Sequence, residues 1–204
     1  MLEFLVGSGL AAAAGLNAWM PLFALGLIDR FLPSILQLPP AWAWLSSDVA
    51  LWITGILLVV EIVADKVPAV DSVNDVLQTV VRPASGGIVF GAGASAETVR
   101  VDDPALFAGT AWVPVVVGVA IALAIHALKA SIRPIANAAT FGLAAPALSA
   151  GEDVSAVGLI LAAIFAPLLA GALIVGIVAT AIVVLRRRRR RRTPRAAAAP
   201  ASSG

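Results

Sequence analysis

The chain has 204 residues, 60% of them hydrophobic and only 13% charged, against about 25% charged in an ordinary soluble domain. With a mean hydropathy of +0.99, a water-soluble globule is excluded. The formal net charge of +2 hides an asymmetry. Eight of the 14 basic residues are Arg186 to Arg192 and Arg195, and the other six face 12 acidic residues, so an acidic apolar body carries a basic tail. The absence of Cys removes disulfides, thiolate nucleophiles and Cys-ligated metals. A single His and no Tyr argue against a zinc or haem enzyme. No cofactor is expected, and the length accommodates one membrane domain, residues 1–185, with a disordered tail over 186–204.

About 20 mainly apolar residues cross the hydrocarbon core, and six segments qualify. The first, Leu2 to Ile28, is apolar apart from Glu3, Ser8 and Asn17, and Pro21 predicts a bend. Its terminus lacks the positive region of a signal peptide, which predicts a retained helix. Asp29 to Ser47 is a surface loop with Pro33, Pro39, Pro40 and the headgroup-level aromatics Trp42 and Trp44. The further spans are Val49–Asp65, about Val73–Ala96, about Pro104–Leu128, a short one from about Pro134 to Leu148, and about Val154–Leu185. The predicted architecture is therefore an all-α, polytopic transmembrane bundle of about six spans. Counting Lys and Arg, Lys66, Arg82, Lys129, Arg133 and the tail fall on one side and Arg30 and Arg100 on the other. Cytoplasmic loops retain positive charge, so both termini are expected on the cytoplasmic face of a bacterial inner membrane. Asp102-Asp103 and Glu152-Asp153 then lie outside. The arginine run reads as a stop-transfer anchor or an anionic-lipid contact, and no nucleic-acid partner is expected.

At an offset of 51 the chain matches itself: Arg82-Pro83 with Arg133-Pro134, Phe90-Gly91 with Phe141-Gly142, Leu77 with Leu128 and Asp75 with His126. Read as helix starts, the two Arg-Pro pairs predict a parallel internal repeat of two hairpins, as in some transporters.

Chemistry is concentrated around residues 60–75. Glu61 and Asp65 are four apart and share a helix face near a membrane boundary, and ionisable groups at such depth mark functional sites by default. Asp71 and Asp75 repeat the spacing, with Arg82 seven further on, while His126, Lys129 and Arg133 fall at i, i+3 and i+7. Three arrangements are open: a structural network pairing these acids with Lys66, Arg82, Lys129 and Arg133; a cation or proton site on Glu61, Asp65, Asp71 and Asp75; or an anion cradle at Arg82 and Arg133. Asn17 is expected to make a polar helix contact. Gly87 and Gly91 permit close helix approach, and no P-loop, nucleophile elbow or dinucleotide fingerprint is present.

Gly15-Leu16-Asn17-Ala18, the block Glu61-x-x-Ala64-Asp65-Lys66-Val67-Pro68-x-Val70-Asp71-Ser72-x-x-Asp75, Arg82-Pro83 and Glu152-Asp153 resemble the bacterial integral-membrane family termed domain of unknown function 4126, from about residue 5 to 185. The resemblance implies a multi-helix membrane protein and no established activity. Glu61-x-x-x-Asp65-Lys66 also resembles the E-x-G-D-K signature of small cation exchangers, with one extra residue and Val67 in place of Thr or Ser. The expected function is a small transporter or permease for an ion or small polar solute; the alternative is a non-transporting scaffold or assembly factor. An enzyme is not expected.

Overall fold

The computed structural model describes residues 1–140, 143 and 145–192, except the side chains of 68–73, 75, 134–139, 181–182 and 184–192. The described chain is all-helical apart from one two-stranded patch. Its helices are α1 (Leu2–Leu16), α2 (Trp19–Phe31), α3 (Asp48–Ala64), α4 (Pro68–Ala94), α5 (Trp112–Ala139), α6 (Ala145–Phe165) and α7 (Pro167–Arg192). A 3₁₀ turn spans Ala43–Ser46, and β1 (Leu36–Gln37) pairs antiparallel with β2 (Glu97–Thr98). Two helices are long and apolar enough to cross a membrane, within Trp112–Arg133 of α5 and over Ala145–Phe165 of α6.

At the centre is α1. It is apolar around its whole circumference, and a helix of that kind is stable only when enclosed; Val6 through Gly15 are buried without a gap. Enclosure by α4, α5, α6 and α7 depends on small residues at the contacts. A Cβ on Gly7 would lie 2.9 Å from the Phe90 ring, and one on Gly9 would lie 2.8 Å from Ala163 Cβ. Phe90 is itself fully buried and meets Phe4 and Phe107 edge-on.

The chain breaks after Leu16. Asn17 is extended (φ −143°, ψ 117°), and α2 turns back towards the end from which α1 came. Glu3 near the start of α1 accepts from the amide of Ala105 (2.7 Å). Just beyond α2, β1 pairs with β2, and the amide of Val99 donates to the carbonyl of Ile35 (3.1 Å). Both outer ends of the α1–α2 pair therefore lie beside the α4–α5 connection. Arg100 Nε donates to the carbonyl of Phe165 (2.8 Å) and brings the α6–α7 connection to the same end. From there α3 runs away, α4 returns, α5 runs away, α6 returns and α7 runs away.

This topology corrects several expectations. Leu2 to Ile28 is a helical hairpin and not one bent span; the break falls at Asn17, and Pro21 sits harmlessly in the first turn of α2, where no amide hydrogen is needed. Met1 and the end of α7 lie at opposite ends of the bundle, because a hairpin followed by five runs reverses the parity that six spans would give. The boundaries expected at Pro134–Leu148 and Val154–Leu185 are replaced by α5 reaching Ala139, α6 over Ala145–Phe165 and α7 starting at Pro167. Proline at a first helical position explains the α6–α7 junction. The Arg-Pro pairs do not start helices: Pro83 and Pro134 both lie inside α4 and α5.

The parallel repeat fails with them. Its two copies of Arg-Pro sit on consecutive helices that pack antiparallel, with Arg82 against His126, Gly86 against Gly118 and Gly91 against Val115. Phe141-Gly142 lies outside the described residues. Helix α7 runs on through Arg192, arginine being a good helix former; residues 193–204 of the expected tail lie outside the described residues.

The α4–α5 crossing has no room for a side chain. A Cβ on Gly118 would stand 2.2 Å from the Gly86 carbonyl oxygen and 2.5 Å from Phe90 Cβ, whereas one on Gly158 of α6 meets nothing within 4 Å. Gly118→Ala is therefore expected to lose about 1–3 kcal/mol of stability by overpacking. Gly158→Ala should be neutral or gain up to about 1 kcal/mol from helix propensity. Equilibrium unfolding of the two variants in detergent checks both.

Candidate functional site

The hairpin tip poses a local problem. Ending α1 and starting α2 inside the bundle leaves backbone carbonyls and amides without helical partners, in surroundings where an unpaired polar group is costly. Side chains from α3, α4 and α5, with that of Asn17 itself, meet that need.

On the amino-terminal side of α2, Glu61 of α3 accepts from the amides of Ala18 (3.0 Å to Oε2) and Trp19 (3.4 Å). A carboxylate on free amides at a helix start is the favourable polarity for the helix dipole. Asn17 Oδ1 accepts from the Met20 amide (3.0 Å), a side-chain cap three residues on. On the carboxyl-terminal side of α1, Lys129 of α5 donates to the carbonyl of Leu16 (3.2 Å), a cation on a helix end of negative polarity. Ser85 of α4 donates to the carbonyl of Ala18 (2.6 Å).

Behind these caps the charges close on one another. Arg82 Nη2 lies 3.0 Å from Glu61 Oε1 and 3.6 Å from Asp65 Oδ2. Lys129 Nζ donates to the Leu16 carbonyl and to Asp65 Oδ2 (3.0 Å), and it forms an ion pair with Glu152 Oε2 (3.0 Å). Asp65 also accepts from Asn74 Nδ2 (2.8 Å). Arg133 Nη2 lies 3.0 Å from Glu152 Oε2 and 3.7 Å from Asp65 Oδ2. Arg82 Nη1 is 3.0 Å from His126 Nδ1. A guanidinium only donates, so Nδ1 is the accepting atom there, while Nε2 faces Thr79 Oγ1 (3.1 Å). The Arg82 side chain is fully buried, and those of Glu61, Asp65, Lys129 and Arg133 are at most 3% exposed.

A wetter rim continues the network. Asp153 accepts from Asn17 Nδ2 (3.2 Å) and from Lys66 Nζ (3.3 Å). Lys66 is 39% exposed and also reaches the carbonyl of Ile62 (3.0 Å).

Of the residues expected from sequence, the structure brings together Asn17, Glu61, Asp65, Lys66, Arg82, His126, Lys129 and Arg133. Asp71 and Asp75 stand in the opening turns of α4, and their side chains lie outside the described residues. The expectation for Glu152 and Asp153 is corrected. They are not in an external loop but on α6, in contact with Lys129, Arg133, Lys66 and Asn17, because α6 begins at Ala145 and carries them past the hairpin tip. Sequence reasoning also missed Asn74 and Ser85, which carry no signal beyond polarity within an apolar helix. Among the described residues no group of three or more His, Cys, Asp or Glu is arranged to hold a metal.

A cleft of about 400 Å³ opens between α5 and α6 onto this network, with Lys129, Arg133 and Glu152 in its wall among Leu16, Ile125, Leu148 and Ile177.

The family described as domain of unknown function 4126 (DUF4126) matches residues 4–187, and the chain belongs to it. No curated protein and no solved structure matches the sequence.

Removing one member of a buried ion pair strands the other. Arg82→Met should therefore destabilise the protein by roughly 3–5 kcal/mol. Adding Glu61→Met should recover only part of this, since the amides of Ala18 and Trp19 then lose their acceptor, worth about 1–3 kcal/mol. Lys66→Ala, at the exposed rim, should cost less than about 1 kcal/mol. A double-mutant cycle followed by chemical unfolding measures all three.

Proposed function

We propose that this DUF4126 member is a multi-pass membrane protein that conducts or exchanges a small polar solute or ion, with the α1–α2 hairpin tip as its gate and the buried ion pairs as the lock of the closed state. The observation that carries the reading is the interrupted helix at Asn17, whose free termini are held inside the bundle by Glu61 and Lys129. Unwound backbone in a membrane interior is tolerated where it is buried in protein or lines a cavity, and discontinuous helices of this kind form substrate sites in many transporters. The network here is built from side chains that exchange partners without breaking covalent structure, so no reaction centre is invoked.

The distribution of polarity supports the membrane setting. The outward face of α3 is Val49, Trp52, Ile53, Ile56, Val59, Val60 and Val63, while its buried residues are Ala50, Thr54 and Glu61. Such an inverted helix has lipid as its natural solvent. The end carrying Asp65-Lys66 and the arginines of α7 is the cytoplasmic one by its positive charge, which puts Met1 and the β1–β2 patch on the outer face of the bacterial inner membrane. The arginine run then stands at the level of anionic headgroups.

A cation site on Glu61 and Asp65 receives less support, since Arg82, Lys129, Asn74 and the α2 amides already engage both carboxylates. The scaffold reading is favoured by one observation: Glu61, Asp65, Glu152 and Asp153 are matched by Arg82, Lys129, Arg133 and Lys66.

Flux separates the two. In proteoliposomes screened with monocarboxylates, amino acids and mono- and divalent cations, the permease reading expects a saturable flux that Glu61→Gln reduces at least about tenfold, equivalent to about 1.4 kcal/mol on the barrier, while the protein still assembles. No solute flux, together with Glu61→Gln lowering stability, would establish the scaffold instead. The chain has no native Cys, so orientation is read directly: Ser34→Cys should react with impermeant maleimide from outside and Leu143→Cys only after permeabilisation.

A further inference from the structure

Charged residues are normally absent from the wall of an apolar cleft, yet the α5–α6 cleft presents three. Glu152 Oε2 bridges Lys129 Nζ and Arg133 Nη2 at 3.0 Å each. The two cations are 1% and 3% exposed, whereas Glu152 is 18% exposed and is the acid of this group that lines the cleft. Apart from Ser155 and Gly151 the rest of the wall is aliphatic, with Ile125, Leu148 and Ile177. Its volume of about 400 Å³ and its pattern, apolar walls with a few convergent polar groups, are those of a small-molecule pocket.

From this arrangement we infer that the cleft is a seat for a small amphipathic carboxylate, an aliphatic monocarboxylic acid, whose head takes the place Glu152 holds on Lys129 and Arg133 while its chain lies along Ile125, Leu148 and Ile177. The protein's own side chain demonstrates that a carboxylate oxygen fits between the two cations. Behind the two cations Asp65 takes Lys129 from the other side, and Glu61 is engaged with Arg82 and the α2 amides, so Glu152 is the partner of Lys129 and Arg133 that an entering carboxylate replaces. The inference names the solute class for the permease function proposed above and rests on that reading.

Charge balance adds a coupled proton. Among the described side chains Arg82, Lys129 and Arg133 stand against Glu61, Asp65 and Glu152, and adding a further anion to a buried cluster is costly. The groups facing Glu152 are Lys129 and Arg133 from α5, with Asp65 from the end of α3 across Lys129; Asp153 beside it on α6 is held by Lys66 and Asn17. The displaced Glu152 is the acid in the cleft wall and takes up one proton from water as the ligand's carboxylate binds. One carboxylate and one proton therefore enter together, and no other charge moves.

The test is calorimetric titration of sodium hexanoate into the full-length protein in lipid nanodiscs at pH 6, 7 and 8, where hexanoate itself stays ionised. Wild type should bind, with affinity falling as pH rises by up to about tenfold per unit, the limit for one coupled proton. Arg133→Gln should weaken binding about tenfold or more, the loss of one of the two cations that face the carboxylate. Glu152→Gln should bind at least as tightly as wild type and without pH dependence. Hexanamide and hexylammonium should not compete, and acetate and inorganic phosphate should bind at least tenfold more weakly. Equal binding of hexanamide, of phosphate or by Arg133→Gln would overturn the inference, as would identical pH profiles for wild type and Glu152→Gln. Absent hexanoate binding beside a Glu61-dependent flux of another solute would remove this seat and leave the permease standing. Hexanoate binding with no flux of any solute would do the reverse.

Discussion

Everything around the site follows from one constraint: a chain that stops being helical inside an apolar bundle must find partners for the backbone groups it releases. Between Leu16 and Met20 those groups are a carbonyl at the end of α1, the Ala18 carbonyl and the first amides of α2. Lys129, Ser85, Glu61 and the Asn17 side chain take them one by one. Water does this at an exposed helix end. Here a cation and an anion of matching polarity do it, and each then needs a counter-ion of its own. Arg82 and Asp65 supply the first, Arg133 and Glu152 the second, and the rim pair of Lys66 and Asp153 closes the set. The cluster is thus the hydrogen-bond completion of one hairpin, propagated outward until charge is balanced.

The rest of the fold serves to hold that hairpin. Enclosing α1 on all sides requires close approach, and the glycines at positions 7 and 9 of α1 and 93 of α4, with alanines 163 and 170, provide it. The long α4–α5 pair, locked at Gly86 and Gly118, carries Arg82 and Ser85 on one member and His126, Lys129 and Arg133 on the other. The β1–β2 pairing and the Glu3 contact pin the two outer ends of the hairpin together, so its tip has a fixed depth. The permease reading takes this frame as fixed and the ion pairs at the tip as the element that moves.

Much of this is written in the sequence, at the level of residue type. The excess of apolar residues and the helical spacing of Glu61 with Asp65, and of His126, Lys129 and Arg133, point to an all-helical bundle with a buried polar cluster, and six of the nine charged residues or histidine singled out at first reading meet there together with Lys66 at the rim, if Asp71 and Asp75 are left aside. What periodicity does not carry is direction. Leu2 to Ile28 is long enough to span and nothing local reverses it; the reversal depends on Glu61 and Lys129, far away in sequence, accepting the broken ends. Arg-Pro reads as a helix start only when the proline's missing amide is the deciding term. In α4 and α5 tertiary packing outweighs it, and the apparent repeat dissolves. Glu152 and Asp153 were displaced to a loop by the same misplaced boundary.

Amide hydrogen exchange at Ala18 and Trp19 tests the capped hairpin most directly. With the backbone hydrogens held by Glu61, both amides should be protected in the wild-type protein and should exchange rapidly in Glu61→Leu, while the amides of α4 and α5 around Gly86 and Gly118 stay protected. Fast exchange at these two positions in the wild type, or protection unchanged by Glu61→Leu, would contradict a hairpin tip held by this carboxylate.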